Sequence, residues 1–111
     1  MPEELDIAQM FIYVDERESL IGCYSLCEMD SETVALKHLC IHPAYRHQKF
    51  GEKLLLHAVR EGMARGDQTM VTDISCENEK LRAWYEKYGF VQEKTEQATL
   101  LHMTKRLFSG D

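Results

Sequence analysis

The sequence predicts an α/β fold, a mixed sheet with helices on its faces, and three features predict it. Short apolar runs with polar neighbours fill the first forty residues, residues 48–65 change to a three-and-four spacing, and a second strand–helix exchange follows. Apolar positions repeating every two residues suit a half-buried strand, and those repeating near 3.6 suit a helix.

Gln9–Asp15 reads as the first strand, rich in aromatic and β-branched residues, and Arg17-Glu18-Ser19 as a turn. Leu20–Cys27 and Thr33–Ile41 are the second and third strands, joined by the polar turn Glu28–Glu32, which makes an antiparallel meander. Pro43 ends the third strand because it has no N–H for a ladder. From about Gln48 to Arg65 a helix is expected, with Phe50, Leu54, Leu55, Ala58, Val59 and Met63 as its buried stripe and Gly66 as its stop. Thr69–Ser75 returns as a strand, giving a β–helix–β unit and a parallel pair. Asn78 opens a second helix through Lys87, Gly89 closes it, and Phe90–Lys94 and Thr99–Leu107 are two final strands.

With 111 residues, 44% of them hydrophobic, the chain suits one domain, because two would each have too little interior. No run of 18 apolar residues is present, so no membrane-spanning helix is expected. The acidic start Met1-Pro2-Glu3-Glu4-Leu5-Asp6 lacks the basic character of a signal peptide, and a cytoplasmic protein is expected. A net charge of −6 argues against a nucleic-acid partner. Cys23, Cys27, Cys40 and Cys76 contain no CxxC pair, so reduced apolar thiols are expected, with neither metal nor disulfide.

The segment from Leu39 to Glu52 carries the chemistry. A strand runs into a polar loop, Arg46-His47-Gln48-Lys49, and then directly into a helix. The first turn of a helix has unpaired N–H groups that attract phosphate, and Gly51 there admits close approach. On the residues alone, an anion site and an ordinary strand–loop–helix joint with a solvated basic cap stand about even.

Ile41-His42-Pro43-Ala44-Tyr45-Arg46, with Arg46 and Gly51 at the two ends of the loop, resembles the acetyl-CoA-binding motif of GNAT acetyltransferases. Downstream, the run from Asn78 to Phe90, with Tyr85 and Gly89-Phe90, is similar to that family's N-x-x-A-x-x-x-Y-x-x-x-G-F helix, the alanine being shifted. Leu101–Leu107 resembles the usual last strand. The likeness spans roughly Leu20 to Leu107.

The resemblance implies an acetyl-CoA-dependent N-acetyltransferase. It places Leu39, Cys40 and Ile41 beside the pantetheine arm, as backbone pairing with an added strand. It places Arg46, His47, Gln48, Lys49, Phe50, Gly51 and Glu52 around the pyrophosphate, and Asn78 on the arm near the thioester. Tyr85 takes the position of the acid that protonates the departing thiolate. Asp73 falls where some members carry a glutamate that takes the proton of the attacking amine, and a plain strand-edge aspartate stands equal to that role. His38, His42 and His57 are expected as solvated surface residues.

Two departures from the family accompany these matches. Lys49 stands where the loop usually has its middle glycine, and Glu52 where a basic or small residue is commoner. The chain is also expected to begin near the family's second strand, without the first strand and the two helices that wall the acceptor site. That leaves the amine acceptor, small molecule or protein, unidentified, and leaves a homodimer open as one way to cover a bare sheet edge. The alternative function is a non-catalytic acyl-CoA-binding or regulatory module with the same fold.

Overall fold

The structure, a computed structural model, describes residues 8–46, 48–93 and 99–108. Its elements are β1 (Ala8–Val14), β2 (Leu20–Glu28), β3 (Thr33–Ile41), a 3-10 turn (Pro43–Tyr45), α1 (Phe50–Ala64), β4 (Thr69–Ser75), α2 (Glu79–Lys87), β5 (Val91–Glu93) and β6 (Leu100–Arg106). The strands form one sheet in the order β1-β2-β3-β4-β6-β5. Among the described residues only β3 and β4 run parallel, as a helical crossover between neighbours requires.

The element order expected from the sequence is the one observed. β5 is shorter than Phe90–Lys94: Phe90 leaves the ladder to fill the core, and Lys94 lies outside the described residues. Helix α1 starts at Phe50 rather than Gln48, because Lys49 is left-handed (φ 66°) and cannot be helical. Its buried stripe is Leu54, Leu55, Ala58 and Gly62, while Met63 is 37% exposed. Position 62 faces the sheet, where a Cβ would stand 2.9 Å from Leu107 and 3.3 Å from Met70, so only glycine lets the helix approach this closely.

Both helices pack on the same face of the sheet. Gly62 of α1 rests over Met70, and Tyr85 of α2 contacts Thr72 two residues further along β4. Tyr24, Leu26, Leu36, Leu55, Phe90 and Met103 form the centre of that core. Each such side chain contributes about 1.5–3 kcal/mol on burial. The opposite face carries Asp73, His102 and Glu93 side by side on β4, β6 and β5.

One irregularity opens the sheet. β2 and β3 pair Ser25 with Lys37 but Cys23 with Cys40, so β3 holds one extra residue opposite Tyr24. His38 absorbs the extra length with a left-handed φ of 57°. A bulge bends its strand, and the β3–β4 ladder extends only from Thr33–Ala35 against Thr69–Val71. Beyond it the two strands diverge into a wedge.

Candidate active site

The wedge is the mouth of a cleft of about 930 Å³ on the helical side of the sheet. Leu39, Cys40 and Ile41 form one wall with the backbone that β4 has left unpaired. Phe50, Gly51 and Glu52 bring the first turn of α1 to the second wall, and Asn78, Trp84 and Tyr85 of α2 form the third. Arg46 and Lys49 line it from the connecting loop. Gln48 does not line this cleft; its amide donates to the carbonyl of Ala44 at 3.4 Å. His47 lies outside the described residues.

The loop is held from several sides. The Tyr45 hydroxyl donates to Asp15 at 2.6 Å and pins the 3-10 turn to the end of β1. That bond and the backbone N–H groups of Ser19 and Arg17 hold the Asp15 carboxyl below its usual range. His42 caps the 3-10 turn by accepting from the N–H of Ala44 at 3.1 Å. Arg46 Nε donates to the Ile41 carbonyl at 3.4 Å. A Cβ on Gly51 would sit 3.6 Å from Trp84 and 3.9 Å from Ile41.

The charge in the cleft is opposite to that of the chain. Arg46, Lys49, Lys80 and Lys87 line it against one carboxylate, Glu52. Glu52 is engaged, because the Tyr88 hydroxyl donates to its Oε2 and is pushed up in pKa by doing so. A helix start with four surrounding cations is suited to phosphate oxygens. Gly51 leaves space for them, so the residues present fit an acyl-CoA.

Tyr85 stands where this cleft meets a second cavity of about 420 Å³, reached through the wedge from the opposite side. Its ring is 4% exposed, and burial raises its hydroxyl pKa, against a smaller lowering by the Thr72 side chain. Thr72 in turn donates to the Leu36 carbonyl at 3.0 Å across the wedge. Tyr85 therefore stays protonated. Asn78 caps α2, its side-chain oxygen accepting from Leu81 N–H at 3.1 Å, which directs its amide nitrogen elsewhere.

Asp73 is absent from the first cleft and lines the second cavity. The two sides of the wedge thus divide the expected residues, with Tyr85 on the boundary. Asp73 Oδ1 lies 2.7 Å from His102 Nδ1. Cys23 and Cys40, opposite each other in the ladder, are free thiols with sulfur atoms 3.5 Å apart.

Several lining residues were not singled out in the sequence. Trp84 and Tyr88 of α2 both line the cleft. Lys80 and Lys87 share one helix face by their spacing of seven, a signal that was available. His38 was expected to be an ordinary surface histidine, and nothing in its neighbours marks a bulge. His57, expected likewise, is exposed but pairs through Nδ1 with the Tyr24 hydroxyl.

The Acetyltransferase (GNAT) domain model matches residues 6–92. A GNAT family acetyltransferase from Elizabethkingia anophelis, with acetyl-CoA bound, superposes with a TM-score of 0.82 at 18% identity, over 89% of this chain and 76% of that one. The PaiA N-acetyltransferase of Thermoplasma acidophilum, in complex with coenzyme A, gives 0.80 at 26% identity, over 92% and 62%. The spermidine N-acetyltransferase SpeG of Vibrio cholerae (F149A mutant) gives 0.80 at 21% identity, over 90% and 66%. No curated protein sequence matches the chain.

Proposed function

Since this chain belongs to the GNAT acetyltransferase family, we propose that it transfers the acetyl group of acetyl-CoA to an amine, with the cofactor and the acceptor approaching from opposite sides of the wedge. The observation that carries this is the division of groups about Tyr85. Cations and a helix start lie on one side, and the carboxylate and imidazole of Asp73 and His102 on the other.

Acetyl-CoA supplies an activated thioester. The chain's residues bind and orient it and handle two protons. The first turn of α1, with Arg46 and Lys49, holds the pyrophosphate, and Asn78 the arm. The backbone of Leu39–Ile41, freed from β4 by the bulge, pairs with the extended arm as an added strand would. An N–H of this segment, with Ile41 first in line, stabilises the oxyanion when the amine attacks the carbonyl. Tyr85 gives its proton to the departing sulfur, and the proton of the amine leaves on the Asp73 side. Holding both reactants at one wedge supplies much of the acceleration. We also place the protein in the cytoplasm on this function, as a user of acetyl-CoA.

A second function, binding of acyl-CoA without turnover, has one observation in its favour. Lys49 occupies a left-handed position with a side chain that glycine would lack.

Isothermal titration with acetyl-CoA, beside a Gly51→Trp variant, tests the binding step. Micromolar affinity lost in the variant is expected; a folded wild type that gives no heat overturns the assignment. An amine panel with thiol detection then separates enzyme from binding module, since a module binds but releases no CoA.

A further inference from the structure

Resting on that function, we infer that His102 is the proton acceptor of the reaction and that Asp73 is the residue that positions it. Asp73, His102 and Glu93 are direct cross-strand partners on β4, β6 and β5, on the face free of α1 and α2. Asp73 Oδ1 is 2.7 Å from Nδ1 of the imidazole, and Glu93 Oε1 is 3.6 Å from Nε2. A carboxylate at hydrogen-bond distance selects the tautomer with its proton on Nδ1, which leaves the lone pair on Nε2. The ring is 34% exposed and lines the same cavity as Asp73 and Tyr85, with Nε2 on its edge away from Asp73, so a proton from an amine in the cavity reaches it through solvent.

The step balances simply. The amine nitrogen forms a bond to the thioester carbon as its proton passes through solvent to Nε2. The carbon–sulfur bond then breaks, and the sulfur takes the Tyr85 proton. The imidazolium so formed lies between two carboxylates. Glu93 is too far for a direct hydrogen bond and close enough for Coulomb attraction. Lys37 and His38 of β3 also line this cavity. The three residues are strung in a row, and no group of three among the described residues converges to hold a metal ion. An orienting carboxylate behind an imidazole fits the row better than Asp73 acting alone, because the Asp73 oxygen nearest His102 is already committed to it.

Two experiments test this. Imidazole nitrogen shifts, read by NMR in the apo protein at alkaline pH, should show His102 with its proton on Nδ1. Asp73→Asn should move that proton to Nε2, because an amide can donate where the carboxylate accepted. No change of tautomer overturns the positioning role. For the second, His102→Asn keeps a donor for Asp73 but no base. With the amine returned by the panel, it should lower kcat by about 10²-fold, leave the KM for acetyl-CoA unchanged, and abolish the acid limb of the pH profile. Wild-type kcat in His102→Asn overturns the inference, whereas a wild type that turns over no amine refutes the proposed function instead.

Discussion

A Cβ placed on Gly51 would stand 3.6 Å from Cζ2 of Trp84, so the first turn of α1 and the indole of α2 meet in the cleft. That spacing is ordinary van der Waals contact, and a methyl group fits without displacement. Gly51→Ala should therefore fold and gain about 0.5–1 kcal/mol in urea denaturation, because alanine is the better helix former. The same methyl would occupy the space proposed for phosphate, and the acetyl-CoA affinity should fall by titration. Unchanged affinity in a stabilised Gly51→Ala protein would remove the pyrophosphate from this turn.

Lys49 adopts φ 66° and ψ 18°, a conformation that costs a side-chain-bearing residue about 1–2 kcal/mol. Lys49→Gly relieves this and loosens the unfolded chain, two effects of opposite sign. The expected net is a gain of up to about 1 kcal/mol, measured by chemical denaturation. A loss of more than that would show that the lysine side chain holds the loop.

Tyr85→Phe removes the proton proposed for the leaving thiolate. A fall of about 10²-fold in kcat is expected in steady-state assays, with little change in the KM for acetyl-CoA. The lost hydroxyl also leaves its contact with Thr72, which costs about 1 kcal/mol of stability. Full activity in Tyr85→Phe would assign the acid elsewhere.

Asp67 sets a pH dependence of stability. It is 2% exposed, its Oδ2 has no hydrogen-bond partner among the described residues, and the Glu28 carboxyl lies beside it. Burial first, and then Glu28, push its carboxyl up to about 6 from 3.8. The native state thus binds a proton more tightly than the unfolded one. Its stabilising effect is full below the unfolded value near 4 and is lost as pH rises through about 6. Thermal melts should show wild-type stability falling between pH 4 and 7. Asp67→Asn should flatten that slope and be more stable near pH 7, on the order of 1–2 kcal/mol. A parallel slope in the variant would clear Asp67 of the effect.

Most of the architecture was legible before any coordinates. Alternating apolar residues and Pro43 placed the end of β3 at Ile41, and Gly66, with φ 85°, stops α1 just past its C-cap. These are local matters of backbone freedom and burial over a few residues, which is why a linear pattern can state them. That Arg46, Lys49, Gly51, Asn78 and Tyr85 line one cleft was legible for a similar reason. They belong to two short motifs, each confined to one strand–loop–helix or one helix.

What joins distant segments was not legible. The bulge at His38 exists because β2 and β3 settle their registers against each other, and its result, the wedge, depends on how far β4 follows β3. Trp84 faces the cleft because α2 brings its indole beside the first turn of α1, and Asp73 meets His102 through a pairing across 29 residues of sequence. The sequence by itself determined the elements, their order, the parallel crossover and the chemical character of the loop, since each rests on interactions within a few turns of chain. The tertiary structure decided the splaying of β3 from β4, the side of the wedge on which each group lies, and the partner given to each titrating side chain. Those follow from strand register and helix packing, in which residues far apart in the chain compete for the same space and the same hydrogen bonds.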